Sequence, residues 1–334
     1  MSDSHGAPPP GRPVDAIGRG PDDPLLAAAV AAVPDGKVVA HQPLAGRTTL
    51  KVGGPARVWV RAESAADLQG VGRVCARFGV GWLVLGRGSN LLVADGGWDG
   101  IALTLGRGFR GVQVLPGPDG PVRQVQIGAA EPMPVLAGAL ETHGLGGMAF
   151  AVAIPGTLGG AVRMNAGAHG GQMADVLQWA EVVRLGSGLV ERLPATRLEM
   201  SYRHTALPDD AVVIRAQVRL PVTDPATLAA GMAEMRQWRR DNQPINQPSC
   251  GSVFRNPPGD SAGRLIDSAG LKGHRVGGAR ISEVHANFIT VQPGAAAADV
   301  HAIIRHVQRE VERIHGVVLH PEVVLAGQFD EEER

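Results

Sequence analysis

Residues 56–97 read ARVWVRAESAADLQGVGRVCARFGVGWLVLGRGSNLLVADGG, and three features of this stretch decide the fold class. The alternation from Ala56 to Val60 is that of a strand with one buried face. Ser64 stands where a helix needs its N-cap, an apolar-periodic run extends to Phe78, and Gly79 supplies the stop. Trp82–Leu85 resumes as a strand, so the stretch is a β-α-β unit that ends in Gly86-Arg87-Gly88-Ser89-Asn90. It is not a Rossmann fingerprint, because Leu92 stands near where the third glycine belongs. A P-loop is excluded too, since no GxxxxGK run occurs anywhere.

Working outward, further strands are expected at Ile101–Leu105, Val122–Ile127, Val182–Leu185 and Val212–Leu220, separated by turn clusters. That order fits a mixed α+β sheet domain better than repeating βαβ units. From about Pro225 the pattern changes. Helices are expected at Ala226–Arg240 and around Arg264–Ser268, and Val300, Ile303, Ile304, Val307, Val311 and Ile314 mark an amphipathic helix from Asp299 to His315, ended by Gly316. The chain closes with the strand-like VVLHPEVVLAG (317–327). The resulting division is a disordered tail (1–35), a sheet domain of two lobes (36–222), a smaller α+β domain (223–328) and a frayed end (329–334). Residues 1–34, rich in Pro, Gly, Asp and Ser, are expected to be dispensable, with Leu25–Val33 either part of the tail or one docking helix.

A chain of 334 residues is long enough for two domains at about 150 residues each. Basic and acidic residues balance at 32 each, so no net field draws the chain to nucleic acid or an anionic membrane. Only Lys37, Lys51 and Lys272 among those 32 basic residues are lysines, leaving 29 arginines, the residue suited to bidentate recognition of carboxylate or phosphate. With 46 glycines and 25 prolines the fold is expected to be loop-rich, and 4% aromatics leaves little for base-stacking platforms. Cys75 and Cys250 give no disulfide framework, which favours a reducing cytoplasm. The start has no signal-peptide pattern, and the nine-residue run Leu25–Val33 is far short of the roughly 20 residues of a membrane span.

Two glycine-rich segments carry the chemistry. Gly86–Asn90, followed by Leu91, either turns successive N–H groups toward a phosphate or is a plain tight turn. Ile154-Pro155-Gly156-Thr157-Leu158-Gly159-Gly160-Ala161 and the following Asn165-Ala166-Gly167-Ala168 either allow close backbone approach to a flat or anionic ligand or form a structural loop. Two such loops without a lysine suggest a large phosphate-bearing cofactor held by backbone donors. Arg203, after the lone tyrosine Tyr202, is a carboxylate clamp or a surface arginine. Ser252 lacks a GxSxG context, and Glu322 by itself reads as a surface strand residue. No HExxH occurs and His301 and His306 are five apart, so no protein-held metal is expected. Cys250 reads as a buried filler.

These strings, together with TTLKVGGPA (48–56), SYRHT (201–205), QPSCGSVFRNP (247–257), GLKGHRVGGARISEVHANFI (270–289) and HPEVVLAG (320–327), make the chain resemble the UDP-N-acetylenolpyruvoylglucosamine reductase (UDP-N-acetylmuramate dehydrogenase, MurB) family over about residues 45–327. The resemblance implies an FAD-binding domain of the vanillyl-alcohol-oxidase (PCMH) type, α+β, with a smaller α+β C-terminal substrate domain. It implies non-covalent FAD held by Gly86, Arg87, Gly88, Ser89, Asn90, Leu91, Ile154, Pro155, Gly156, Thr157, Gly159, Gly160, Asn165, Gly167 and Ala168. Arg203, Ser252 and Glu322 fall on the family's catalytic positions, and Tyr202, Arg203 and Asn256 on its substrate contacts. The implied reaction is NADPH-dependent reduction of UDP-N-acetylglucosamine enolpyruvate in peptidoglycan synthesis, by a cytoplasmic monomer with no nucleic-acid or membrane partner. Departures are Asn242 where a basic residue often precedes the QP pair, Thr290 after the FI strand, and Thr205 where serine is common. The rival readings are another FAD oxidase or dehydrogenase of the same fold, and an inert flavin or nucleotide-sugar binding module.

Overall fold

The computed structural model of the chain describes residues 22–117 and 120–329. The first lobe contains helix α1 (Pro24–Ala32), strands β1 (Lys37–Pro43) and β2 (Pro55–Ala62), helix α2 (Ala65–Phe78), and strands β3 (Trp82–Leu85), β4 (Leu91–Val93) and β5 (Trp98–Leu105). Strands β2 and β3 both run parallel to β5, and β1 adds antiparallel at the edge, giving the order β1-β2-β5-β3. The β-α-β reading holds in detail. Ser64 and Asp67 form a reciprocal capping box at the start of α2, and Gly79 ends it in the left-handed region.

Of the two readings of Leu25–Val33 the docking helix holds, which corrects the expected tail boundary at residue 35, while residues 1–21 and 330–334 lie outside the described residues. Leu25 and Ala29 of α1 are fully buried, and the helix packs on α2. Its Ala-rich sequence hides the docking, because the fit depends on α2. A Cβ added at Gly70 would lie 2.1 Å from the Ala32 carbonyl oxygen, so glycine there lets the two backbones meet. Asp23 caps α1 and pairs with Arg57 of β2 at 2.8 Å, with Asp99 on the other side at 3.3 Å. The hydrogen bond from Arg57 to Asp23 holds the guanidinium pKa above its ordinary value.

The second lobe comprises β6 (Val112–Val114), β7 (Val122–Gly128), α3 (Met133–Thr142), α4 (Leu158–Arg163), the hairpin β8 (Gly167–Ala168) and β9 (Gly171–Gln172), β10 (Leu177–Arg184), β11 (Val190–Pro194), β12 (Ala211–Pro221) and α5 (Pro225–Asn242). Its sheet is antiparallel, in the order β11-β10-β12-β7-β6. Val71 and Cys75 of α2 share one apolar cluster with Val58, Val60 and Ile101 of the first sheet and Val183, Val212 and Ile214 of the second. Helix α2 therefore joins the two lobes. Helix α5 was expected in the C-terminal domain, but its Met232 belongs to the second lobe's core, with Met133, Leu136 and Met148.

The third lobe holds α6 (Ala262–Ser268), β13 (Arg275–Val276), β14 (Ala279–Ile281), β15 (Ile289–Val291), α7 (Ala297–His315) and β16 (Val324–Ala326). Val300, Ile303, Ile304, Val307 and Val311 of α7 pack over Ile281 and Ile289. Leu50, Val52 and Leu92 enter the same core from the first lobe. The expected long final strand shrinks to three residues, parallel to β4. Pro321 has no N–H for a ladder, and it sits opposite Phe254 in an isolated bridge instead. Among the described residues no helix is long and apolar enough to cross a membrane, and no cluster of three or more His, Cys, Asp or Glu residues could hold a metal.

Candidate active site

The two glycine segments meet face to face. Gly86–Asn90 leaves β3 and enters β4, braced from behind by Thr49, whose N–H donates to the Gly88 carbonyl at 3.1 Å. Gly88 has φ +61° and lies against the Arg47 backbone, so it supports the loop from the rear. The N–H groups of Arg87, Gly88, Ser89 and Asn90 donate to no protein acceptor among the described residues. In the second segment, the Gly156 carbonyl accepts from Met133 N–H, and Leu158 and Gly159 donate to the Glu131 and Ala129 carbonyls, each at 2.9–3.0 Å. Thr157 caps α4. A Cβ added at Gly86 would lie 2.7 Å from Thr157 Oγ1, and one at Gly156 would lie 3.5 Å from Ser89 Oγ.

Beside this contact opens a cavity of about 1070 Å³, at the upper end of the ~300–1,000 Å³ usual for small-molecule sites. Gly86, Arg87, Thr157, Gly159 and Gly160 line it together with Arg203, Arg255 and Glu322. Among the remaining residues that the resemblance assigns to the cofactor, the structure shows these surroundings. Leu91 packs into the apolar cluster with Leu83 and Val93. Ile154 packs against the second lobe's core, and Pro155 is exposed. Asn165 is fully buried, with φ +41°. Its amide donates to Ser201 O at 2.8 Å and to Gln172 Oε1 at 3.1 Å, and its Oδ1 accepts from Ala174 N–H at 2.9 Å. The Asn165 side chain thus ties the glycine-rich segment to the Ser201 turn and the small hairpin. Gly167 and Ala168 form one arm of the small hairpin.

Of the catalytic candidates, Arg203 and Glu322 line the cavity, while Ser252 is not among its lining residues and reaches the same seam through its backbone neighbour Val253. Ser201 and His204 exchange two backbone hydrogen bonds, which turns Tyr202 and Arg203 outward, and Arg203 takes φ +55°. A non-glycine residue in that region costs about 1 kcal/mol or more and persists where its surroundings enforce it. Here Arg203 Nε donates to Glu322 Oε1 at 2.9 Å and Nη2 donates to Gly167 O at 3.2 Å. Burial pushes the Glu322 carboxyl above its ordinary pKa, and the charges of Arg203 and Arg255 pull it back. Glu322 is held from both sides: its N–H donates to Val253 O at 2.7 Å, and its carbonyl accepts from the Asn90 amide at 3.0 Å.

Ser252 is half-buried, bridged through its backbone to Phe288, and lies one residue from the Val253–Glu322 contact. Asn287 clamps Phe254 on both N–H and carbonyl at 2.9 Å, fixing the segment. Asn256 is exposed; its N–H donates to the Tyr202 hydroxyl at 3.4 Å and its Oδ1 accepts from Ala262 N–H, capping the approach to α6. Tyr202, Arg203, Ser252, Asn256 and Glu322 thus come from three separate segments to one seam.

Two family models match this chain: an FAD binding domain over residues 56–194, and the C-terminal domain of UDP-N-acetylenolpyruvoylglucosamine reductase over residues 243–326. The reductase of that name from Bacillus subtilis is 40% identical over 294 residues, covering 87% of this chain and 95% of the relative. The chain belongs to the UDP-N-acetylenolpyruvoylglucosamine reductase family. Family members from Anaeromyxobacter dehalogenans (44% identical, 89% of this chain and 88% of the relative) and Synechococcus (43%, 86% and 93%) agree. The solved reductase from Thermus caldophilus superposes with a TM-score of 0.73 at 35% identity, covering 87% of this chain and 98% of that one. The expected α+β, PCMH-type FAD-binding fold is thereby shown.

The reductase family's FAD suits the residues present. Uncommitted N–H groups in Gly86–Asn90 are anion donors, and the glycines at 86, 159 and 160 leave a wall without side chains. Sequence reading missed two arginines on the cavity wall. Arg163 donates to the carbonyls of Leu207 and Pro208, each at 3.0 Å, and to that of Ala211; burial lowers its pKa. Nothing in the local sequence marks Arg163, whose three acceptors lie more than forty residues on. Arg255 sits inside the quoted GSVFRNP string, yet alternation alone does not say which of its side chains faces the site.

Proposed function

We propose that this protein catalyses the NADPH-dependent reduction of UDP-N-acetylglucosamine enolpyruvate to UDP-N-acetylmuramate, a step of peptidoglycan synthesis, acting as a cytoplasmic monomer with non-covalent FAD. The observation that carries the reading is the Arg203–Glu322 pair beside the Ser252–Asn256 segment, on the wall of a glycine-lined cavity. FAD bound against Gly86, Arg87, Gly159 and Gly160 would supply the reaction with hydride equivalents drawn from NADPH, for reduction at the terminal carbon of the enolpyruvyl double bond. As charge develops on the adjacent carbon of the substrate and spreads into its carboxylate, Arg203 stands as a fixed positive partner. Glu322 Oε1 accepts from Arg203, leaving Oε2 to carry a proton and donate to the developing enolate, a role that burial favours. Ser252 donates the proton that completes the lactyl ether; a serine hydroxyl is a weak acid, but a carbanion is a strong base and the geometry is held. Asn256 and Tyr202 border the substrate's path.

The test is direct. Purified protein should be yellow, bleach with NADPH, and regain its colour when UDP-N-acetylglucosamine enolpyruvate is added. A flavin that NADPH does not reduce supports an inert binding module. A flavin that is reduced but reoxidised only by other acceptors supports another oxidase or dehydrogenase of this fold.

A further inference from the structure

Two guanidinium groups flank Glu322, and their circumstances differ. Arg203 is engaged through Nε with Glu322 and through Nη2 with the Gly167 carbonyl. Arg255 also lines the cavity, but its Nε is buried with no hydrogen-bond partner among the described residues. Leaving such a donor buried and unmade costs on the order of 1–3 kcal/mol, so its retention calls for a use. The backbone explains how it arrives there. Val253 O accepts from Glu322 N–H, Arg255 N–H donates to His320 O at 3.0 Å, and Phe254 bridges Pro321. In this antiparallel pairing Val253 lies opposite Glu322 and Arg255 opposite His320, which makes Arg255 and Glu322 diagonal neighbours on one face. Arg255 is also three residues after Ser252, within the segment that Asn287 clamps.

We infer that Arg255 is a substrate-binding residue whose guanidinium takes the enolpyruvyl carboxylate in the ground state, while Arg203 chiefly governs Glu322. An unpaired planar fork beside the reacting end of the cavity matches a planar carboxylate, which a lysine ammonium would meet only as a point charge. The carboxylate is favoured over the substrate's diphosphate because Arg255 is the diagonal neighbour of Glu322, the carboxyl assigned to the developing enolate. The inference rests on the proposed reductase activity.

The experiment uses the FAD-loaded full chain with Arg255→Gln and Arg255→Lys. After reduction by NADPH, flavin reoxidation is followed at increasing UDP-N-acetylglucosamine enolpyruvate. Arg255→Gln is expected to raise the half-saturating concentration about 10- to 100-fold, the cost of one lost charged hydrogen-bonding partner, with Arg255→Lys in between. Bound FAD and the rate of flavin reduction by NADPH should match wild type. Calorimetric binding of UDP-N-acetylglucosamine, which keeps the diphosphate and lacks the carboxylate, should also be unchanged. A half-saturating concentration within threefold of wild type overturns the inference. So does an equal weakening of UDP-N-acetylglucosamine, which would assign Arg255 to the diphosphate, and so does loss of FAD, which would assign it to the cofactor. Failure of the wild-type protein to reoxidise with the enolpyruvyl nucleotide would instead remove the proposed function itself.

Discussion

The two walls of the cavity are built from different materials. The wall formed by Gly86, Arg87, Thr157, Gly159 and Gly160 is mostly backbone: glycine surfaces, the uncommitted Arg87 N–H and one threonine cap. The opposite wall is made of side chains, with Arg203, Arg255 and Glu322 drawn from three segments. A backbone wall serves a ligand that stays, since main-chain donors are fixed by the fold and lose little entropy on binding. A side-chain wall serves steps in which charge and protons move, because only side chains bring titratable groups. Substitutions should therefore separate the walls: on one they cost cofactor retention, on the other substrate binding and chemistry.

The largest effect is expected from Ser252→Ala. Positioned acid catalysis contributes about 10² to 10⁴ in rate, or roughly 3–5 kcal/mol of barrier, so reoxidation by substrate should slow by that factor while NADPH bleaches the flavin at its normal rate. Rapid mixing resolves the two half-reactions. Equal slowing of both would erase the distinction between the walls; reoxidation at the wild-type rate would remove Ser252 as the proton donor.

The backbone wall also presumes a rigid first lobe beneath it. Asp23→Ala leaves Arg57 largely buried and without its nearest partner, and breaking such a pair costs about 3–5 kcal/mol, read as a lower denaturation midpoint. Deleting residues 1–34, which composition marks as dispensable, should do at least as much by also removing Leu25 and Ala29 from the core. An unchanged midpoint in either variant would mean that α1 contributes nothing to the lobe.

Gly86→Ala probes the backbone wall itself. Its new Cβ must displace Thr157 Oγ1 from 2.7 Å, and overpacking of this kind costs about 1–3 kcal/mol, or roughly 10- to 100-fold in FAD affinity. Equilibrium dialysis of flavin measures it, and retention of FAD at wild-type affinity would show that the two segments do not need that contact. Arg203→Met probes the other wall. Burial still raises the Glu322 pKa while one of the two lowering charges is gone, so the pH limb of substrate reduction assigned to this carboxyl should move to higher pH. A limb that stays put or moves down would dissociate Glu322 from that limb. The smallest effect serves as a control for glycine replacement in general. Gly138, inside α3, has open space around its Cβ position, and Gly138→Ala should stabilise by about 0.5–1 kcal/mol without altering flavin content.

Much of this architecture was readable before any coordinates. Helix α2 carried both boundaries in its Ser64 cap and Gly79 stop and α7 its end in Gly316, signals that act locally, whereas the uncapped start of α7 at Ala297 falls two residues before the expected Asp299. The family strings placed Arg203, Ser252 and Glu322 in order, but the Arg203–Glu322 hydrogen bond spans 119 positions and no local pattern encodes it. Helix α3, interrupted by Gly138, was not among the expected elements; it forms because Met133, Leu136 and Leu140 bury into the second lobe's core. Asn165 has a structural duty that its sequence context does not announce. An asparagine among glycines has the donors to meet a ligand, and the same donors let it tie the Ser201 turn to the hairpin.

The last strand has a consequence for how the molecule is born. Glu322 and β16 are made long after their anchors, Asn90 and β4, which lie 232 positions upstream in the glutamate's case. On the ribosome the cofactor wall can take shape while the seam still lacks its carboxylate, and contacts of such separation form late because the intervening loop must close first. The nascent protein therefore acquires its place for the flavin well before its means of using it.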